Sequence, residues 1–149
     1  MAEKKIVICD IDGTIANNDH RQHFLEGKKD WEGFFSELNK DLPIYSVIQK
    51  VINLHEKGMR IIFITGRPER YINTTELWLK NYFNFSFEII ARKNNDRRDK
   101  LAVKKEMFYK NFKKEDIYLV IENDLELIKM WRDMEMKTMD ANLMRKRSL

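Results

Sequence analysis

Three short clusters in this 149-residue sequence carry the carboxylates and hydroxyls that chemistry through oxygen ligands requires. They are Asp10-Ile-Asp12-Gly-Thr14, Thr65-Gly66-Arg67 and Glu122-Asn123-Asp124, and each directly follows an aliphatic run. In an open parallel sheet, ligands bind just beyond the carboxyl ends of the strands, so the three loops are expected to converge on one edge. Asp10, Asp12, Glu122 and Asp124 cannot crowd together there unless protons or a cation neutralise them. Mg²⁺ suits such a site, because it keeps several waters and takes a few carboxylates plus a substrate phosphate. The plain alternative is that Asp10 and Asp12 only make a turn or cap a helix. A calcium loop would need a preceding helix and a Glu near position 21, where Arg21 stands. Aliphatic strand, Asp-x-Asp, Gly and Thr in succession favour the catalytic reading.

The elements that must position these loops are legible as alternating strands and helices. Lys5–Cys9, Arg60–Thr65, Phe87–Ala91 and Ile117–Ile121 are short apolar runs without polar alternation, as in strands buried on both faces, and Lys137–Met139 is a candidate fifth. Asp41-Leu-Pro43 reads as a helix entrance, and Val47, Ile48, Val51, Ile52 and Leu54 form an apolar face ending at Lys57-Gly58. Helices are also expected over 71–82, 100–112 and 125–134. The alternation predicts a three-layer, Rossmann-like α/β fold, a parallel sheet with helices on both faces and right-handed crossovers, in one domain over 1–149. The stretch 15–40 interrupts the pattern with one short helix around Asp30–Leu38 and is expected to be a minimal cap over the sheet edge. Residues 144–149 read as a frayed basic tail.

Composition narrows the function classes without choosing among them. Net charge is +4, with acids and bases well mixed, which favours anionic partners but not one kind of them. Cys9 is the single cysteine, so no disulfide within the chain is available and a reducing, cytoplasmic setting is expected. The apolar runs are far too short to span a bilayer, and Met1-Ala-Glu-Lys-Lys5 leads into the first of them without the pattern of a secretory signal, so no membrane partner is expected.

These motifs resemble the haloacid dehalogenase (HAD) superfamily of phosphohydrolases over essentially the whole chain. Asp10-Ile-Asp-Gly-Thr14 matches its first motif, Thr65 its second, Lys104 its third and Glu122-Asn123-Asp124 lies at its fourth. Within the superfamily the sequence is similar to the 3′-phosphatase domain of phage polynucleotide kinase-phosphatase, through Thr65-Gly-Arg67, the stretch Arg92 to Phe108 and Met130-Trp-Arg132. No Gly-x-x-x-x-Gly-Lys phosphate loop of a kinase occurs in the sequence, so a separate kinase partner is conceivable. The phage domain has two adjacent aspartates where this chain has Glu122 and Asn123. Asn still offers a carbonyl oxygen to Mg²⁺.

The resemblance implies roles. Asp10 would be the nucleophile, forming an aspartyl phosphate, and Asp12 the general acid and base. Thr65 would hold a phosphoryl oxygen, and Lys104 would neutralise developing charge. Mg²⁺ would be held by Asp10, the main-chain carbonyl of Asp12 and the Glu122-Asn123 pair. Gly66, Arg67, Arg92 and Arg98 are candidate substrate-binding residues. Arg67 is equally able to pair with an acid, and the charged run from Arg92 to Lys100 is either an electropositive rim or an ordinary loop. His20, Arg21 and His23 could face the leaving group. Trp31, Phe34 and Phe35 could stack a base, although their helical spacing favours packing against the sheet, and Met107, Met130 and Met134 read as core. The expected substrate is a phosphate on a nucleic-acid 3′ end or a nucleotide. A small non-nucleotide ester and a non-catalytic nucleic-acid binder are the alternatives.

Overall fold

Strand β1 (Ile6–Cys9) is bonded on both sides, and everything else is arranged around it. The computed structural model describes residues 4–147. Strands β2 (Ala16–Asn17), β3 (Leu42–Pro43), β4 (Arg60–Pro68), β5 (Glu88–Arg92), β6 (Ile117–Glu122) and β7 (Thr138–Asp140) follow along the chain. Helices α1 (Trp31–Ser36), α2 (Tyr45–Glu56), α3 (Ile72–Lys80), α4 (Lys100–Asn111), α5 (Leu125–Asp133) and α6 (Ala141–Arg147) lie between and after them. Five strands pair in parallel in the order β5-β4-β1-β6-β7. This is the expected parallel α/β sheet, with its leading strand at the centre.

Successive residues of a strand point to opposite faces, and both faces are apolar here. Val7, Cys9, Ile61, Phe63, Leu119 and Ile121 pack against α2, α3 and Ala141 of α6. Ile8, Ile62, Ile64 and Val120 pack against Phe108 of α4 and Leu127 and Trp131 of α5. Burial on both sides explains why the strands lack polar alternation. Met107, Met130 and Met134 join the second cluster from its partly buried rim. No helix among the described residues is long and apolar enough to cross a membrane.

Four local expectations are corrected. Asp41-Leu-Pro43 is not a helix entrance: Leu42 and Pro43 form β3, antiparallel to β2, and α2 starts at Tyr45 with no side-chain cap. Pro43 lacks an N–H and is tolerated in so short an edge strand, while the Ile44 N–H is held by the Ile15 carbonyl (2.8 Å). Strand β4 runs three residues past Thr65, with a shift in register between Thr65 and Pro68. Residues 144–147, expected to fray, continue α6; Ser148 and Leu149 lie outside the described residues. Of the three aromatics in α1, only Phe34 is buried, and Trp31 is 48% exposed.

Candidate active site

The carboxyl ends of β1, β4 and β6 bring the three polar loops together. Asp10 follows β1 directly, and its N–H is bonded to the Ile121 carbonyl of β6 (2.9 Å), which fixes it at the tip of the central strand. Its Oδ1 accepts from Lys104 Nζ of α4 (2.6 Å), and its Oδ2 accepts from the Thr14 hydroxyl (2.9 Å). The same hydroxyl lies 3.1 Å from Asn123 Oδ1. Gly13 turns the loop with φ +79°, and a Cβ there would come within 2.3 Å of Asn123 Nδ2, so only glycine allows this approach.

Glu122 is used internally. Its Oε1 takes Lys104 Nζ (3.1 Å) and Trp131 Nε1 (3.4 Å), and its Oε2 takes the N–H groups of Asn123 (3.1 Å) and Asp124 (3.3 Å). Asp124 caps α5 through the N–H groups of Glu126 and Leu127 and binds Lys100 Nζ (2.6 Å). Two buried carboxylates, Asp10 and Glu122, therefore share one buried ammonium. Burial first, and then Glu122, push the Asp10 carboxyl well up, while Lys104 pulls it back. Burial opposes the charge on Lys104, but Asp10 and Glu122 outweigh it and raise its pKa. The Cys9 thiol next door is raised chiefly by burial, so it is no nucleophile.

Asp12 occupies a different environment. Its Oδ1 accepts from Arg21 Nη2 (2.6 Å) and Arg67 Nη2 (2.8 Å), and its Oδ2 accepts from Arg67 Nε (3.1 Å). Behind the two guanidinium groups, Asp41 accepts from Arg21 Nε (2.8 Å) and Nη2 (2.7 Å), from Arg67 Nη2 (3.2 Å), and sits 2.7 Å from His20 Nε2. Arg67 Nη1 also reaches the Thr75 hydroxyl (3.0 Å), and the Phe34 ring covers the Arg21 guanidinium at 4.3 Å. Burial resists ionisation of Asp12, but Arg67 and Arg21 together overcome it and hold its pKa at about 2. Asp41 is the member of this group that sequence reasoning missed. Its residues read as a cap, and the only hint was the need of two nearby arginines for acids.

The remaining predicted residues line the approach. The Thr65 hydroxyl accepts from the Arg67 N–H (3.1 Å). Arg92 braces the rim through the carbonyls of Gly66 (3.1 Å), Asp96 (3.1 Å) and Arg98 (2.8 Å), and Arg98 pairs with Asp96 and Glu106. Gly66, Arg92 and Arg98 all line one cleft of about 560 Å³. A depression of about 580 Å³ between the ends of α4 and α5, lined by Lys114 ahead of β6, lies at the opposite end of the strands.

Among the described residues, no group of three or more His, Cys, Asp or Glu side chains is placed to hold a metal ion. The oxygens gathered near Asp10 are nonetheless of the right kind. One buried carboxylate, a hydroxyl and an amide carbonyl are hard ligands, and the surplus negative charge that disfavours ionised Asp10 is what a cation would offset. The donor set fits Mg²⁺ with few protein ligands.

The family model for the polynucleotide kinase PNKP phosphatase domain matches residues 4–143. The chain belongs to the PNKP phosphatase-domain family. The match takes in every residue of the candidate site described above. The family's sheet is also seen in a chain of the Pnkp1/Rnl/Hen1 RNA repair complex, with TM-score 0.77 and 24% identity over 92% of this chain and 42% of that one. It is seen again in a class C acid phosphatase from Bacillus anthracis with tungstate bound, with TM-score 0.64 and 15% identity over 93% and 67% of the two chains. At these identities the likeness is one of fold. A protein of Oceanobacillus iheyensis named "Putative nucleotidase OB0422" is 39% identical over 57 residues, 37% of this chain and 30% of that protein. The chain thus spans less than a third of that relative in the alignment, and less than half of the repair-complex chain.

Proposed function

We propose that this chain hydrolyses phosphate monoesters on nucleic-acid 3′ ends or nucleotides, through a phosphate carried covalently on Asp10. The observation that carries the reading is the setting of Asp10: a carboxylate at the tip of the central strand, with Lys104 Nζ at 2.6 Å on one oxygen and the Thr14 hydroxyl at 2.9 Å on the other. Family membership supports the reaction class.

In the first half-reaction an Asp10 oxygen attacks phosphorus, the bond from phosphorus to the ester oxygen breaks, and Asp12 gives that oxygen a proton. In the second, water attacks the same phosphorus, Asp12 takes the water's proton, and the bond to Asp10 breaks to release phosphate. Lys104 balances negative charge as it moves between Asp10 and the phosphoryl group. Thr65 and the Gly66 backbone hold phosphoryl oxygens. Asp10, the Asp12 carbonyl and Asn123 would hold Mg²⁺, which when bound would supply further charge neutralisation. Glu122 serves it indirectly by fixing Lys104 and the Asn123 N–H.

The depressed Asp12 is ionised at neutral pH and ready for the second half-reaction. The first half needs it protonated, so that half places the larger demand on Asp12. Arg67, bound to Asp12 and Asp41, acts by holding Asp12 rather than by gripping phosphate directly.

The test is phosphate release from 3′-phosphorylated oligonucleotides, nucleoside 3′- and 5′-monophosphates and sugar phosphates. Release from the nucleic-acid and nucleotide substrates is expected, stopping in chelator and returning with Mg²⁺. Release from sugar phosphates alone rejects the reading. A mononucleotide substrate is the second reading, supported by the similarity to the protein named as a nucleotidase. The lone buried Cys9 fits a reducing cytoplasm, and the RNA repair assembly named for the structural neighbour makes a separate end-processing kinase a fitting partner.

A further inference from the structure

The cleft beside the Thr65-Gly66-Arg67 loop has two unlike walls, and the catalytic groups use neither of them. Gly66 and Pro68 are among its lining residues, so the cleft borders the loop proposed to hold phosphate. One wall is aromatic. Trp31 and Phe35 stack at 5.9 Å with 25° between their planes, and Tyr71 continues the surface at 5.0 Å from Phe35. Helix α1 turns Phe34 inward onto Arg21, which leaves Trp31 on the open side, 48% exposed although apolar. The other wall is cationic. Arg70 and Arg97 are exposed, and neither makes an ion pair among the described residues; the Arg70 guanidinium lies over the Tyr71 ring at 4.9 Å. Asp96 lies in the same cleft, but Arg98 already binds its carboxylate (2.7 Å), so the wall keeps its positive charge.

Resting on the proposed phosphatase reading, we propose that this cleft holds the terminal nucleoside of an unpaired nucleic-acid strand, its base against Trp31 and Phe35 and the next phosphodiester against Arg70 and Arg97. The volume, about 560 Å³, has room for one nucleotide rather than a helix. A flat aromatic face accepts any base, and free guanidinium groups track a backbone anion, which is how strands are bound without sequence reading. A base inside a duplex is stacked and paired, and would have to be extruded to meet Trp31. The cleft therefore selects single-stranded 3′ ends over blunt duplex ends. An acidic or phosphorylated peptide offers the same anions but lacks the planar group that the Trp31–Phe35 wall fits.

The test uses the whole chain and a 3′-phosphorylated oligonucleotide, free or annealed into a blunt duplex, with p-nitrophenyl phosphate as a substrate too small to reach the cleft. The single strand is expected to show at least tenfold higher kcat/KM than the duplex. Trp31→Ala should lower kcat/KM on the single strand by about 5- to 150-fold, the range of one base–aromatic stack. Activity on p-nitrophenyl phosphate should be unchanged, and since Trp31 is exposed the variant should fold. Binding of the 3′-hydroxyl oligonucleotide, followed by fluorescence anisotropy, reads the cleft without turnover. Arg70→Ala and Arg97→Ala should each reduce the slope of log affinity against log salt by about 0.7. Equal cleavage of single strand and duplex, an unchanged Trp31→Ala variant, or equal binding of a phosphoserine peptide overturns the proposal. If no ester is hydrolysed, the phosphatase reading falls, and the anisotropy measurement still decides the cleft.

Discussion

Two halves of the candidate site hold carboxylates a few residues apart and treat them in opposite ways. Around Asp12, two carboxylates (Asp12 and Asp41) face two guanidinium groups (Arg21 and Arg67), and the charge is balanced. Around Asp10, two carboxylates face the single ammonium of Lys104, and one negative charge is left over. The balanced half keeps Asp12 ionised; the unbalanced half makes ionised Asp10 unfavourable. Ion pairing inside a protein makes a rigid support, whereas an uncompensated charge makes a place that takes up a proton or a cation. The proposed acid–base group stands on the first and the proposed nucleophile on the second.

The strongest way to break this contrast is Asp10→Asn. Phosphate release should fall by about 10⁴-fold or more, while thermal stability in chelator should hold or rise, because the surplus buried charge is gone. Turnover near wild type would place the nucleophile elsewhere. Asp41→Asn attacks the other half and should do the reverse in stability. It removes the negative charge and one of the two acceptor oxygens that Arg21, Arg67 and His20 share, and breaking a buried ion pair from one side costs about 3–5 kcal/mol. A fall in Tm of about 10 °C is expected by calorimetry, and a shift within one degree would show that the arginines need no such anchor.

The pH dependence of stability sharpens the comparison, because the two aspartates contribute with opposite sign. Asp10 has a raised folded pKa, so the folded state binds the extra proton, and its contribution weakens stability as pH rises from about 4 upward in metal-free protein. Asp12 has a depressed pKa, so its contribution is complete above about pH 4 and is lost as pH falls toward 2. Tm followed against pH in chelator should decline above pH 5 in wild type and flatten in Asp10→Asn. Identical slopes would contradict the assignment. The smallest effect belongs to Asn123→Asp, which adds a carboxylate beside the Thr14 hydroxyl. The Mg²⁺ concentration for half-maximal activity should drop about tenfold, since affinity follows ligand charge; an unchanged requirement would place the ion away from Asn123.

What the sequence made legible follows the same division. Asp10, Thr14 and Asn123 lie directly beyond aliphatic strands, and a strand end followed by a polar loop is a local pattern. Parallel pairing then brings such loops together whatever the helices do. Asp41 and Arg21 meet only through tertiary packing. An Asp before Leu-Pro looks the same whether it caps a helix or anchors two arginines, and Arg67 likewise suits a phosphate or a carboxylate equally well. Trp31 misled by its spacing: Trp31, Phe34 and Phe35 share a helical face, yet α1 has only six residues and rests on Arg21, so one ring is buried and two look outward. The added length of β4 had no local sign either, because Gly66 and Pro68 are ordinarily strand breakers.

Strand β1 is hydrogen-bonded along both edges, while β2 and β3 form a ribbon of two residues each, with α1 between them in the chain. Amide protons in β1 should therefore exchange with deuterated solvent only when the whole molecule opens, and those of the ribbon and α1 much sooner. The proposed nucleophile is thus fixed to the slowest-opening part of the chain, and the aromatic wall proposed to meet the substrate rides on the part that breathes.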